Sequence, residues 1–384
     1  MATVEGLMRG PRGLASFARA FGAACGGPLP ALAAMLILQC HATTAPWSFV
    51  VMVVLALPAW WRDDGARLSL VDASALAIAL AFAVSGLGPG WRFDGANAVP
   101  VAGFVALVLL ARHARQGDAA RVVALLAVVA LLQLVPALVA YTRTGDPSLA
   151  LRDAAVPWLV VPNDLAWMAC AWPWWIALAR ERAGATRIAI VALLALQLVA
   201  FVLFGSRIAI AAAAVGTGYA LLRDARGRWI GAGALGLAAA ATFALGKGVA
   251  SLEARMELWR AAWSLFVANP VFGLGAHGFV AGYREWMPAI PVDPRVTPWP
   301  HSLPLELLAQ WGVVGFVAVA LAIVASWRSA RGRRGRYALA PVAIAFALVA
   351  CVEASAMRLW VWMFAALLLA WPRLDEGQEG TEAP

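Results

Sequence analysis

The run VVALLAVVALLQLVPALVAY (122–141) contains no charged residue along its whole length. A helix of about 20 apolar residues crosses the ~30 Å hydrocarbon core of a bilayer, so this run predicts a transmembrane helix. The composition extends that prediction to the whole chain. Of the 384 residues, 63% are hydrophobic and 13% are charged, and the mean hydropathy is +0.78. These values indicate an integral membrane protein rather than a soluble domain.

Apolar runs of similar length recur on both sides of this segment. By length and hydropathy there are about twelve candidate spans. They are 26–43, 45–61, 68–90, 97–111, 122–141, 156–179, 188–205, 208–222, 229–246, 304–327, 338–352 and 358–372. The predicted fold class is therefore all-α, a polytopic membrane protein with about twelve transmembrane helices.

The arginines are distributed unevenly between the two sets of connections. Twenty lie on one set, which includes both ends of the chain, and five lie in the opposite short connections. Because cytoplasmic loops carry the excess of basic residues, both termini are predicted to be cytoplasmic. The net charge of +9 is then mostly an insertion signal rather than a sign of nucleic-acid binding.

A long polar and aromatic loop interrupts the apolar pattern and is predicted on the non-cytoplasmic side. It divides the chain into spans one to nine (1–246), the loop (247–303), spans ten to twelve (304–372) and a polar tail (373–384). The composition of the tail predicts disorder. We expect the loop to be partly helical and to carry the active site.

The loop helix is predicted at 252–268, before Asn269-Pro270. Arg255 lies near its start, where the side chain could face a cavity, and Arg260 lies one turn further on. An apolar stripe recurs at three- and four-residue spacing, typical of packing against lipid or the top of the bundle. The stripe consists of Met256, Trp259, Trp263 and Phe266.

Arg207 lies between two apolar runs with almost no loop, in the sequence Gly205-Ser206-Arg207. It is therefore predicted at the outer membrane boundary. One interpretation is an arginine that snorkels to the interface at a tight helical hairpin. The other is a ligand for an anion, since charged groups at such positions are functional candidates.

His301 is predicted at the outer end of the tenth span. Ser302 is a suitable N-cap and Pro304 is tolerated in the first turn of a helix. The positive end of that helix disfavours imidazolium, and a neutral histidine can act as a general base. The alternative is an interfacial histidine that caps loop carbonyls. Asn163, at the outer end of the sixth span, is either part of a helix cap or faces a polar cavity.

Motifs for metal or nucleotide chemistry are absent from the sequence. It contains no Walker A sequence, no GxSxG, no HExxH and no external DxD pair. The four cysteines lie in or beside apolar segments without metal-ligand spacing. The prediction is that the protein binds no metal and no cofactor.

Four motifs resemble the O-antigen ligase and O-antigen polymerase superfamily of bacterial membrane proteins. RMELWRAAWSLFVANPVFGLGAHGF (255–279) is similar to the family's arginine, Trp-containing helix and NP-x-x-G-x-G turn. PHSLPLELLAQWGVVG (300–315) follows, with a histidine, a leucine-rich stretch and G-x-x-G. VPNDLAWM (161–168) resembles a PNDxA element, and FGSRIAI (204–210) resembles a boundary arginine. One departure is Ser302, where asparagine is commoner in the family.

The resemblance implies a metal-independent glycosyltransferase of the bacterial inner membrane. The donor would be a glycan on undecaprenyl pyrophosphate, and the acceptor would be a hydroxyl, most plausibly on lipid A–core. Arg207 and Arg255 match the arginines that hold the pyrophosphate, with Arg260 and Asn163 as further substrate-binding candidates. His301 matches the histidine that activates the acceptor, and His277 is a weaker alternative base.

Several functions are compatible with these residues. A ligase transfers the finished polymer, a polymerase extends a growing glycan, and a protein O-oligosaccharyltransferase modifies Ser or Thr. A polysaccharide transporter is the alternative outside enzymes. A transporter favours polar residues along a central pore, whereas the acidic residues in or beside the predicted spans are sparse. They are Asp72, Asp164, Glu306 and Glu353.

Overall fold

The computed structural model describes residues 28–40, 45–61, 68–87, 95–115, 117–221, 249–276, 278–286, 299–330, 339–353, 355–356 and 358–376. Regular structure in these ranges is entirely helical, which confirms the all-α prediction. Their α-helices are α1 (Pro28–Leu38), α2 (Ala45–Trp61), α3 (Leu70–Val84), α4 (Gly95–Leu110), α5 (Asp118–Thr144), α6 (Pro147–Asp153), α7 (Ala166–Glu181), α8 (Gly184–Leu203), α9 (Arg207–Leu221), α10 (Val249–Ala268), α11 (Gly278–Trp286), α12 (Leu303–Ala330), α13 (Leu339–Val352) and α14 (Leu359–Glu376).

Four helical segments of the described chain are long and apolar enough to cross a membrane. They are Leu70–Leu87, Asp118–Thr144, Gly184–Leu203 and Leu303–Ala330. Shorter apolar stretches lie within α1, α4, α9 and α13. The chain is therefore an all-α membrane protein. The count of about twelve spans stays a prediction, and the span expected at 229–246 lies outside the described residues.

The sixth predicted span, 156–179, is helical only in its second half. Helix α7 begins at Ala166 and is preceded by a short 3-10 turn, Pro162–Leu165. Proline disfavours helix in the residue before it, and Pro157 and Pro162 both lie in the non-helical part. The turn places Asn163 at the end of the bundle that also carries His301, which we call the site end.

Small residues allow three helices to approach closely beneath the site end. Helix α9 packs against α7 and α13. A Cβ added at Gly216 of α9 would meet Ala345 Cβ and Pro173 Cγ at 3.1 Å. Helices in membranes associate through such close contacts because lipid supplies little hydrophobic driving force. Tight packing here fixes the ends of α7 and α13, from which two groups of the site arise.

Helix α12 is interrupted at Gly312, whose φ of 63° and ψ of −162° are not helical. The loop after α10 fills the interruption with its own backbone. Leu274 N donates to Ala309 O at 2.9 Å, and Gly275 N donates to Gln310 O at 2.8 Å. These two carbonyls would otherwise accept from the next helical turn.

The exchange is reciprocal, because the amides released in α12 donate back to the loop. Val313 N donates to Pro270 O at 2.8 Å, and Val314 N donates to Val271 O at 3.3 Å. Non-helical backbone within a membrane protein requires such internal partners. The NP-x-x-G-x-G and G-x-x-G motifs therefore act together, by joining the end of α10 to the middle of α12.

Helix α10 packs on α12 through a different face from the predicted stripe. Its buried residues are Ala261, Ala262 and Leu265, which form a small cluster with α11. Met256 and Trp263 are instead 40% and 53% exposed. The small alanines allow close packing against α12. Of the stripe, Met256 and Trp263 remain on the outer surface of the helix, whereas Trp259 and Phe266 are half-buried.

The end of α14 departs from the predicted disordered tail. The helix continues through Arg373 to Glu376, whereas the tail was predicted to begin at 373. Arg373 donates to Asp72 Oδ1 at 2.7 Å, to Val108 O at 3.0 Å and to Ser69 Oγ. This ion pair orders the helix end and joins it to α3 and α4 at the end of the bundle opposite the site. Residues 377–384 lie outside the described residues.

Candidate functional site

A buried carboxylate, Glu353, brings three sequence-distant side chains together. It follows the last residue of α13 and is 7% exposed. His301 Nδ1 lies 3.0 Å from Oε1, and Arg255 Nη2 donates to Oε2 at 2.5 Å. The side chain of Asn163 also hydrogen-bonds Glu353. Three of the predicted site residues thus meet at an acid that the sequence analysis did not select.

Arg255 holds this acid together with the end of the helix that presents it. Besides Glu353, it donates from Nη1 to Val352 O at 2.8 Å. The last carbonyls of a helix lack intrahelical partners, and a cation is favoured beside them. The remaining N–H groups of Arg255 have no partner in the described part of the chain, so the guanidinium can still donate to a bound anion.

His301 has an unusual backbone conformation, with a φ of 53°. This left-handed region is uncommon for residues with a Cβ, and such conformations concentrate at functional sites. The imidazole is held by Glu353 on one nitrogen and packs on the Trp299 ring, with the centroids 4.6 Å apart. The following helix begins at once, since Glu306 N donates to Ser302 O at 2.9 Å.

The environment of Glu353 favours its ionised form. Burial alone would raise the pKa of this carboxyl. The hydrogen bond and charge of His301, the charge of Arg255 and the hydrogen bond of Asn163 outweigh it, and the pKa lies below the ordinary value. An ionised carboxylate only accepts hydrogen bonds, so Nδ1 of His301 carries the hydrogen. Nε2 is then the nitrogen available to a substrate.

A second acid–base pair lies beside the first. Arg358 Nε is 3.5 Å from Asp164 Oδ1, and its guanidinium carbon is 4.8 Å from the Trp299 ring centroid. Trp360 Nε1 also donates to Asp164 Oδ1 at 3.0 Å. Because Trp299 contacts both Arg358 and His301, this pair is coupled to the histidine through an aromatic ring.

Glu306 fixes the segment that connects the two pairs. It is completely buried in the first turn of α12. It accepts from Ser355 Oγ at 3.1 Å and from Ala356 N at 3.0 Å, and Gln310 Nε2 donates to it at 3.1 Å. Glu306 therefore anchors the connection between α13 and α14, which carries both Glu353 and Arg358.

Arg207 is the first residue of α9 and is half-buried. Helix α9 packs against the Pro162–Leu165 turn, so Arg207 belongs to the site end. No hydrogen bond or ion pair joins its side chain to the part of the chain that the structure describes. Gly205, with a φ of 65°, supplies the tight reversal before the helix.

Two further candidates remain apart from the cluster. Arg260 is exposed on α10. Five residues along an α-helix correspond to a rotation of roughly 140°, so Arg260 and Arg255 lie on different faces. His277 lies outside the described residues. Arg260 therefore does not take the place of Arg255 in the cluster. It is a suitable position for a control substitution.

Comparison with known proteins identifies the region that carries much of this site. Residues 190–320 match the family model described as O-antigen ligase. This confirms the resemblance to the O-antigen ligase and polymerase superfamily. No curated protein matches the chain.

The O-antigen ligase match includes Arg207, Arg255 and His301. Glu353 and Asn163 lie on either side of it in the sequence and complete the cluster from outside the matched region. The match indicates ligase-type or polymerase-type activity for this membrane protein. No group of three or more potential metal ligands occurs among the described residues. Metal independence stays a prediction.

Sequence reasoning missed Glu353, Arg358 and Trp299 as site residues. Glu353 and Asp164 were noticed only as acids in or beside predicted spans. A charged group inside a membrane span or at its edge is a functional candidate, and that rule applied to Glu353 as well as to Arg207. Its partners could not be named, because they lie 52 and 98 residues away in the sequence.

Proposed function

We propose that the protein is an O-antigen ligase of the bacterial inner membrane. It transfers a glycan from undecaprenyl pyrophosphate to a hydroxyl of lipid A–core at the periplasmic face, with both termini in the cytoplasm. The observation that carries the proposal is the convergence of His301, Arg255 and Asn163 on Glu353. The family match supports ligase-type or polymerase-type transfer, and the ligase assignment is part of the proposal.

In the proposed reaction, His301 Nε2 accepts the proton of the acceptor hydroxyl. The acceptor oxygen forms a bond to the anomeric carbon while the bond from that carbon to the pyrophosphate oxygen breaks. Glu353 stabilises the imidazolium that forms and keeps Nδ1 protonated, as a carboxylate does for a catalytic histidine. Undecaprenyl pyrophosphate leaves with the electron pair of the broken bond.

The arginines stabilise the charge that develops on the leaving group. A guanidinium remains charged and binds phosphate oxygens through paired hydrogen bonds. The side chain of Arg207, which has no hydrogen-bond or ion-pair partner among the described residues, and the remaining donors of Arg255 supply that charge. Asn163 positions Glu353 or the sugar. The leaving group is already good, so orientation, fixed positive charge and a base are the required components.

Replacement of the base is the direct test. In nanodiscs with purified lipid-linked glycan and lipid A–core, His301→Ala should lower kcat by about 10²–10⁴-fold, the usual contribution of a general base. His113→Ala is the control, because His113 lies in the turn after α4, at the opposite end of the bundle. Full activity in His301→Ala would remove the histidine from the mechanism. The wild-type rate should be unchanged in EDTA.

The acceptor is tested in a strain that lacks the protein, by a lipopolysaccharide gel and extraction of polyprenyl-linked glycan. Loss of the ladder with long polymer on the polyprenyl carrier identifies a ligase. A core with a single repeat and no long polymer identifies a polymerase instead. An unchanged ladder rejects lipid A–core as the acceptor.

A further inference from the structure

Arg358 is a cation of the site end that the proposed reaction leaves unused. It directly precedes α14, and its side chain is 15% exposed. Its ion pair with Asp164 runs from Nε at 3.5 Å, longer than the about 2.7–2.9 Å of a charge-assisted hydrogen bond. Within the part of the chain that the structure describes, neither Nη group has a hydrogen-bond or ion-pair partner. The planar fork of this guanidinium is therefore available to a ligand.

Asp164 does not depend on Arg358 for its hydrogen bonds. Its Oδ2 accepts from the backbone N–H groups of Val160 and Val161 at 3.0 and 2.9 Å. Its Oδ1 accepts from Trp360 Nε1 at 3.0 Å. Three neutral donors thus hold the acid in place, and Arg358 balances its charge. Burial removes water from the guanidinium, and its unused N–H groups make that loss costly unless an acceptor replaces the water.

The guanidinium is fixed from two sides. The connection that carries it is anchored to Glu306 through Ser355 Oγ and Ala356 N. On the other side, the guanidinium carbon lies 4.8 Å from the centroid of the Trp299 ring. The ring attracts the positive charge but supplies no oxygen that accepts from the N–H groups. Arg358 is therefore preorganised to bind an anion.

This fork lies near the base of the proposed reaction. The Trp299 ring that contacts Arg358 also packs on the imidazole of His301, with the centroids 4.6 Å apart. The two distances together separate the guanidinium from the imidazole by less than the length of a disaccharide. An anionic group bound at Arg358 would then belong to the sugar that presents its hydroxyl to His301, or to the adjacent sugar.

We propose that Arg358 binds a phosphate or carboxylate group of the acceptor glycan. The inference rests on the proposed function and adds a recognition site for the acceptor. In a displacement, the attacking hydroxyl and the leaving pyrophosphate lie on opposite sides of the anomeric carbon, so the acceptor lies on the side of the base. Arg207 and the remaining donors of Arg255 serve the pyrophosphate. A guanidinium binds phosphate and carboxylate through the same paired hydrogen bonds.

The first test measures acceptor binding without turnover. The full-length protein in nanodiscs is titrated with lipid A–core, with lipid A–core dephosphorylated by hydrofluoric acid, and with lipid A–core whose carboxyl groups are reduced to alcohols. One of the two treatments should raise the Kd by about 10- to 100-fold, the effect of losing hydrogen bonds to a charged group, and it identifies the anion. Equal Kd values for the three acceptors would overturn the proposal.

The second test assigns that effect to Arg358. Arg358→Gln should raise the Kd and the KM for lipid A–core by the same factor and should no longer distinguish it from the treated acceptor. The KM for the lipid-linked donor should be unchanged. A rise in the donor KM instead would place the pyrophosphate at Arg358 and overturn the proposal.

Arg143→Gln is the matched control for positive charge at this end of the bundle. Arg143 is exposed in the last turn of α5, and α6, which follows, packs against the Pro162–Leu165 turn. The control should leave the acceptor Kd unchanged. Equal effects of the two substitutions would indicate a general attraction of anions and overturn the proposal.

A role for Arg358 in balancing Asp164 alone is tested by changing both residues. Adding Asp164→Asn to Arg358→Gln removes the buried charge that the single variant leaves unpaired. The Tm should recover in the double variant, whereas the acceptor Kd should stay raised. The double variant also provides a folded protein if Arg358→Gln alone is unstable. A Kd restored to the wild-type value would overturn the proposal.

The two proposals can fail separately. Selective acceptor binding at Arg358 without transfer from any donor would refute the function and leave the acceptor site. Transfer whose acceptor KM is indifferent to Arg358→Gln would refute the acceptor site and leave the function.

Discussion

Glu353 connects the histidine, an arginine and an asparagine through one carboxylate. The neighbours act on the acid in different combinations. Arg255 and His301 each contribute charge and a hydrogen bond, Arg255 also fixes the end of α13, and Asn163 contributes a hydrogen bond alone. A neutral amide at this position would keep the shape of the side chain and lose its charge. Residue 353 therefore offers a way to separate orientation from electrostatics.

We expect Glu353→Gln to lower kcat by up to about 10⁴-fold, the effect of replacing the carboxylate that sets the tautomer of a general-base histidine. The KM for the donor should change little, because the arginines remain. Glu353→Asp, which keeps the charge on a shorter side chain, should recover part of kcat. A fall in kcat of equal size in both variants would show that geometry alone matters at this position.

The same variant should reveal a dependence of stability on pH. The pKa of Glu353 lies below its ordinary value of 4.5, so ionisation stabilises the folded state. That contribution is fully present above the ordinary pKa and is lost as the pH falls through the folded value. The difference in Tm between wild type and Glu353→Gln should therefore be constant near neutral pH and shrink in acid. A difference that widened in acid would contradict the assignment.

Arg255→Lys should impair both activity and stability, because a lysine cannot reproduce two hydrogen bonds from a planar fork. We expect kcat/KM to fall by at least about tenfold and Tm to decrease. Arg260→Lys is the matched control on the same helix, since Arg260 is exposed and lies on a different face. Equal effects of the two substitutions would indicate that α10 supplies only general positive charge.

At the scale of elements, the backbone exchange between the 269–275 loop and α12 determines where the site helices lie. Gly312 permits it through a positive φ and through the absence of a side chain. A Cβ at this position would lie 2.3 Å from Val271 O. Gly145 has nearly the same φ of 64° but nothing within 4 Å of the added atom. The ψ of Gly145 is −2°, whereas the ψ of Gly312 is −162°, which places Gly312 in a conformation essentially confined to glycine. Gly312 therefore exceeds Gly145 in both backbone strain and crowding.

Gly145→Ala should cost about 1–2 kcal/mol, the strain of a left-handed conformation. Gly312→Ala should cost clearly more, because its backbone conformation is less accessible to alanine and because the clash with the loop adds about 1–3 kcal/mol of overpacking. The comparison is made by thermal unfolding in detergent, with activity measured on the folded fraction. Equal losses in Tm would show that the loop moves aside without cost, and that the exchange does not hold α10 against α12.

At the scale of the whole molecule, local patterns in the sequence predicted the membrane class but not the contacts across it. Hydrophobic runs reveal helices because each run is long enough to span a bilayer. Asn163, Arg255 and His301 were candidates because a proline turn, a loop helix and a helix start made each conspicuous. Glu353 appeared as an isolated acid, because its partners come from three separate elements. Contacts at such separations depend on packing, which no local pattern records.

The opposite end of the bundle allows stability to be separated from catalysis. Arg373 joins α14 to Asp72, which is completely buried and 301 residues away. Arg373→Met should lower the free energy of unfolding by about 3–5 kcal/mol, because it leaves a buried carboxylate without its closest cation. Adding Asp72→Asn to the Arg373→Met variant should recover part of that loss. The double-mutant cycle measures the coupling energy between Arg373 and Asp72. In the folded fraction kcat should match the wild type, since the ion pair is far from His301. A lower kcat in the folded fraction of the variant would mean that a disturbance at one end of the bundle affects the other end. The tight helix packing beneath the site would have to transmit it.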